Sequence, residues 1–265
     1  MLVLYVSYRC CVLTIVIGLV CSGGVVVASD SQVEFARGAP VKRVNANKVY
    51  QLDGLPVAIA GAGTLTFIKK AIREIENRVL EERRKEAVLP LSRVADLAEG
   101  VVAAIHKTYN IERLKYLYER KEERLQEVHR FTLLMGGVEE GRGKLFILHQ
   151  EGIAEEEDKY ATIGSGAAYA EYLLSKLYAE DMDVEKGVRT AVYVIKEVEK
   201  IDPNVGGPIN VAVVDELKYR ELPRSDIEKV ELELADLEEV INQTIRKMLW
   251  GELNRNVLKE FLEKR

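Results

Sequence analysis

The chain has 265 residues, 48% of them apolar and 31% charged, enough for one sizeable core or at most two small ones. Its 43 acidic residues outnumber 38 basic ones, and a net charge of −5 argues against nucleic acid as the main partner, because neutralising phosphates takes clustered Lys and Arg. Plentiful apolar residues and only six prolines exclude low-complexity disorder, while three cysteines, Cys10, Cys11 and Cys21, form neither a disulfide framework nor half of a paired zinc site.

Residues 1–28 are mostly apolar, the pattern of a signal peptide or a membrane span. Against that, Arg9 interrupts the early run, no basic segment precedes it, and Ser22-Gly23-Gly24 splits the rest into β-branched pieces at 14–20 and 25–29. Two such runs around a small polar turn predict a β-hairpin. Residues 30–47 are polar and include Arg37-Gly38-Ala39-Pro40, which predicts a loop. Short strands are expected at 49–52 and 56–60 around an Asp53-Gly54 turn, after which Gly61-Ala62-Gly63-Thr64 opens a helix. Ile68, Ile72, Ile75 and Val79 give that helix one apolar face; Val94, Leu97, Val101 and Ile105 do the same for a second. Residues 110–128, with dense alternating charge, read as a third, solvent-facing helical stretch.

Strands are expected again at 130–135, 144–149 and 160–163. Helices follow from Gly164-Ser165-Gly166 to about 179 and over 184–201, ended by Asp202-Pro203. Strands at 209–214 and 218–222 precede a charged, periodic helical tail over 225–265. Blocks of strands separated by blocks of helices predict a sheet-on-sheet sandwich with helices on both outer faces, not alternating βαβ units.

Several chemistries lack their residues. His106, His129 and His149 are scattered, with no Gly-x-Ser-x-Gly elbow to support a Ser-His-Asp triad. No His-Glu-x-x-His, P-loop or EF-hand pattern appears, so no metal is expected. Gly164-Ser165-Gly166 weakly imitates a dinucleotide fingerprint, but Tyr169 stands at the third glycine position, so no cofactor is expected. The plainer reading of that motif is a tight turn with Ser165 as N-cap.

Thr14-Ile-Val-Ile-Gly18, Gly24-Val-Val-Val-Ala-Ser-Asp30, Lys48-Val-Tyr-Gln-Leu52 and Ile59-Ala-Gly61 together resemble the opening of a proteasome β-type subunit. Ala161-Thr-Ile-Gly-Ser-Gly166, Met182-Asp-Val-Glu-Lys-Gly187, Gly206-Gly-Pro-Ile-Asn-Val-Ala-Val-Val214 and Tyr219-Arg-Glu-Leu-Pro223 continue the likeness in order over residues 14–228. The resemblance implies an α+β, four-layer αββα sandwich of the N-terminal-nucleophile hydrolases with a C-terminal helical extension. The implied domain spans 14–228, with 1–13 as a propeptide or a misassigned start and 229–265 as the extension.

In that family the threonine opening the first strand is the mature N-terminus. Its hydroxyl attacks a peptide carbonyl and its own α-amine, which titrates near 7.7–8.0, accepts the proton. By position, Thr14 is the nucleophile, Asp30 holds Lys48, Gly61 offers its N–H to the oxyanion, and Ser165 and Asp202 position the amine. Val33, Ala46, Ile59 and Gly63 fall on the substrate pocket; being uncharged, they imply apolar side chains before the cut. The expected substrate is a peptide or unfolded protein. The expected assembly is a homo-oligomer in the cytoplasm, with a ring as the form the resemblance implies, and no nucleic acid or membrane partner.

The chain departs from the family pattern at several points. Leu13 stands where self-cleaved members carry glycine, which leaves two readings open: initiation at codon 13, exposing Thr14 when the Met is removed, or an uncleaved, inactive subunit. Val205 replaces the usual serine after Asp202. A non-catalytic structural subunit and an acyl-transferring relative therefore stand beside the peptidase.

Overall fold

The computed structural model describes residues 14–35, 42–86, 88–119, 129–252, 256 and 259. The two β-branched runs form β1 (Ile15–Cys21) and β2 (Gly24–Ser29), paired antiparallel around Ser22-Gly23, as the hairpin reading expects. Residues 1–13 lie outside the described residues, and no described helix is long and apolar enough to cross a membrane.

The predicted loop at 30–47 contains a small hairpin instead, β3 (Gln32–Phe35) paired with β4 (Lys42–Asn45). Its strands are mostly polar, so no run of apolar alternation announces them. Next come β5 (Val49–Gln51) and β6 (Val57–Gly63). The segment Gly61-Ala62-Gly63, expected to begin a helix, is the end of β6. It stays extended because β7 (Phe131–Glu139) pairs along it through Gly63↔Phe131. The helix α1 (Leu65–Arg83) starts two residues later, and α2 (Leu91–His106) runs into a π-turn at Lys107–Ile111 and α3 (Glu112–Glu119). Of the predicted helical stretch at 110–128, residues 110–119 are helical and 120–128 lie outside the described residues.

β8 (Arg142–His149) follows β7, and β9 (Ile153–Glu157) follows β8. β9 is absent from the sequence expectation: Glu155-Glu156-Glu157 suits water, and only an edge strand, paired here to β8 alone, accepts such a run. The remaining elements match the expected order: β10 (Tyr160–Gly164), α4 (Ala167–Leu177), α5 (Val184–Glu199), β11 (Asn210–Val214), β12 (Tyr219–Glu221) and α6 (Arg224–Leu249).

One sheet has the order β10-β1-β2-β11-β12, the other β5-β6-β7-β8-β9. Alternation along each strand explains the layers. Val16, Val25, Val27, Ala58, Ala60 and Leu134 point between the sheets, fully buried. Their neighbours Ile59, Leu133 and Met135 point outward instead, onto Ile68, Ile72, Ile75 and Val94 of α1 and α2. α4 and α5 cover β1, β2 and β10 on the opposite face. The fold is thus an α+β, four-layer αββα sandwich. The chain divides into two compact units, one ending at Arg224 and one beginning at Ser225 that holds nearly all of α6.

Candidate functional site

The hairpin register builds the first half of the site. Val16 pairs with Ser29, so Asp30 falls beside Ile15, next to Thr14. The Asp30 N–H donates to the Ile15 carbonyl at 3.3 Å and the Ile15 N–H returns to Asp30 Oδ1 at 3.0 Å. Thr14 Oγ1 also donates to Asp30 Oδ1. Asp30 Oδ2 accepts the Gln32 N–H at 3.1 Å and the Gly206 N–H at 3.3 Å. A wholly buried carboxylate with this many donors is fixed in place before any substrate arrives.

Lys48 comes from the other sheet, one residue before β5. It is 5% exposed, and its Nζ donates to Thr14 Oγ1 at 2.5 Å and to Asp30 Oδ1 at 2.8 Å. Burial pulls the Lys48 ammonium below the ordinary lysine range, against the opposing pull of the Asp30 carboxylate. Thr14, Asp30 and Lys48 therefore form one contiguous buried cluster at 2%, 0% and 5% exposure. A hydroxyl held between an ammonium and a carboxylate has charge stabilisation waiting on its oxygen.

Ser165 joins the cluster from the turn after β10. Its Oγ lies 3.4 Å from Thr14 N and donates to the Thr14 carbonyl at 3.3 Å. Ser165 is not an N-cap: the cap of α4 is Gly166, which makes no side-chain capping bond. Gly164 makes this approach possible. Its φ is +109°, and a Cβ there would sit 2.2 Å from the Thr14 carbonyl oxygen. Gly164→Ala is expected to displace Thr14 and to cost about 1–3 kcal/mol through backbone strain alone. Urea denaturation measures that cost.

Gly61 lies on β6, opposite Leu133 of β7. The Thr64 N–H reaches the Arg130 carbonyl on the β7 side, so antiparallel alternation turns the Gly61 N–H the other way. That edge is free of β5 beyond the Val49↔Ala60 pair, where Lys48 enters. Asp202 is buried, and its Oδ1 accepts from the N–H and Nδ2 of Asn204 at 2.9 and 2.8 Å. Val205 is 3% exposed and comes within 3.3 Å of the place a Gly166 Cβ would occupy, so an apolar surface borders the Thr14–Ser165 turn.

Of the four pocket residues, Val33 is half-buried on β3 opposite Val44, and Ala46 donates its N–H to the Ser31 carbonyl at 2.8 Å. Gly63 ends β6, and Ile59 is wholly buried under the α1–α2 layer. Gln32 and Gly206, which help hold Asp30, escaped the sequence reading. They act through backbone N–H groups, and Gly206 is 176 residues from Asp30. Cys21 is buried and its thiol pushed up to about 11, mainly by burial and further by the Asp183 carboxylate, which disfavours its thiolate.

A family model described as proteasome subunit matches residues 14–214. Proteasome subunit beta 1 of Thermococcus onnurineus is 30% identical over 216 residues, covering 81% of this chain and 95% of that protein. Proteasome subunit beta 1 of Thermococcus sibiricus is 29% identical over 217 residues, covering 82% and 94%. Proteasome subunit beta of Methanosarcina barkeri is 26% identical over 223 residues, covering 83% and 95%. With the αββα layers and the position of the Thr14 cluster, these matches place the chain in the proteasome subunit family, as a β-type member.

Proposed function

We propose that the chain is a threonine-type peptidase in which Thr14, freed as the N-terminal residue, cuts peptide bonds in peptides or unfolded proteins. The observation that carries this reading is the placement of Thr14 Oγ1 between Lys48 Nζ and Asp30 Oδ1 in a buried site. Oγ1 bonds to the scissile carbonyl carbon while its proton passes to the Thr14 α-amine. The Lys48 ammonium stabilises charge on Oγ1, and the Gly61 N–H receives the oxyanion. Breakage of the C–N bond hands the proton to the leaving amine, and water then hydrolyses the acyl ester. Ser165 steadies the Thr14 nitrogen. A cytoplasmic homo-oligomer, ring-shaped as the resemblance implies, would confine such sites.

The rate is expected to trace a bell against pH. The rising limb belongs to an α-amine that must be neutral, near 7.7–8.0. The falling limb belongs to Lys48, whose charged form is needed and whose pKa is lowered by burial, so activity is lost as pH rises through a value below 10.5. A kcat/KM profile on protein shown folded by circular dichroism checks this; a rate still climbing at pH 10.5 contradicts it. Hydrolysis of a fluorogenic peptide by wild type and Thr14→Ala tests the function itself. Loss of cleavage in the variant supports the peptidase; intact assembly with no cleavage in either identifies a non-catalytic subunit.

A further inference from the structure

A cleft of about 460 Å³ opens inside the first unit between β5, α1 and β12, within the volume range of small-ligand sites. Val49, Tyr50, Ile72 and Tyr219 supply apolar and aromatic wall. Two cations and two carboxylates also line it; Glu221 accepts from Asn47 Nδ2 at 3.2 Å and Glu76 accepts the Asp53 N–H, neutral donors that hold the carboxylates in place without cancelling their charge. Lys69 and Arg73, one turn apart on α1, are exposed and make no ion pair or hydrogen bond among the described residues.

β5 is also the edge of its sheet. The Leu52 N–H donates to the Val57 carbonyl, which fixes Leu52 and Tyr50 as the residues bonded to β6. Alternation then turns the Gln51 N–H and C=O and the Val49 C=O away from β6, toward the open side. The Val49 N–H is taken by Asn47 Oδ1 at 2.9 Å. A free strand edge beside two unpaired cations and an aromatic wall is the arrangement that recognises an extended chain by main-chain bonds and selects it by charge.

We propose that this cleft docks an extended acidic peptide segment, which adds as a strand to the free edge of β5 and sets its carboxylates against Lys69 and Arg73. Thr14, Asp30 and Lys48 are not among the cleft's lining residues, although Asn47 and Val49 flank Lys48, and the proposal does not depend on the hydrolytic reading. The test is fluorescence anisotropy with a labelled eight-residue peptide of alternating Glu and Val, titrated with the full-length chain carrying Thr14→Ala so that cleavage cannot alter the signal. Saturable binding is expected, weakened at least tenfold by adding Lys69→Glu and Arg73→Glu. Because both side chains are exposed, those variants should leave the thermal midpoint unchanged. Gln51→Pro, which removes the outward N–H at an edge position, should weaken binding at least fivefold. Equal binding of a Lys–Val peptide overturns the proposal, as does indifference to the charge reversals or no binding at millimolar peptide. So does sedimentation showing that a second copy of the chain, released by the same reversals, fills the cleft.

Discussion

Replacing Lys48 with methionine is expected to lower kcat by at least about 10²–10³, the scale for removing one preorganised group that stabilises charge at the reacting oxygen. The stem of the side chain survives in that variant, so the loss reports the ammonium that contacts Thr14 Oγ1 at 2.5 Å and Asp30 Oδ1 at 2.8 Å. Stability falls too, by about 3–5 kcal/mol, because the wholly buried Asp30 carboxylate loses its cation. Adding Asp30→Asn should recover much of that stability without recovering activity, which separates the two roles of the pair. Urea denaturation and kcat on the single and double variants check both statements. A Lys48→Met protein with wild-type kcat contradicts the site as drawn.

Thr14→Ala should abolish hydrolysis while costing only about 1 kcal/mol of stability, since it removes one hydroxyl and leaves the Lys48–Asp30 pair intact. Thr14→Ser keeps the hydroxyl but loses the methyl that lies against Gly164, within 3.1 Å of the place a Cβ would occupy there. Its hydroxyl gains rotamer freedom that the β-branch denies, so reduced but measurable turnover is expected. Steady-state rates on the three proteins, with thermal midpoints alongside, decide the matter. Hydrolysis retained by Thr14→Ala removes Thr14 from the chemistry.

Much of the architecture was legible because burial imposes period on sequence. Ile68, Ile72, Ile75 and Val79 on α1 can be read from spacing alone, since they share the one face that meets the sheet, and the β-branched runs at 14–20 and 25–29 announce two strands though not the layer each residue faces. The unread elements are those whose pairing is set by neighbours rather than by composition: β3 and β4, mostly polar, and β9, an edge strand ending in three glutamates. Gly61-Ala62-Gly63 resembles a helix start locally, yet β7 supplies the pairing that keeps it extended. At the site, Thr14, Asp30 and Lys48 were found by resemblance, and the β1–β2 register gives the physical reason the first two meet. The Gly206 N–H on Asp30 has no side chain to announce it, and the local motif around Ser165 reads as a helix cap; only the resemblance pointed Ser165 toward Thr14, whose carbonyl its hydroxyl contacts.

The proposed chemistry rests on a free amine and a reactive hydroxyl on the same residue. Incubating the native protein with a peptide-like β-lactone and mapping the adduct by mass spectrometry addresses both together. The expected result is a single acyl adduct on a tryptic fragment running from Thr14 to Arg37, with Thr14 as its first residue and its hydroxyl carrying the group. A native chain in which Leu13 is still joined to Thr14, or an adduct found only elsewhere, contradicts it.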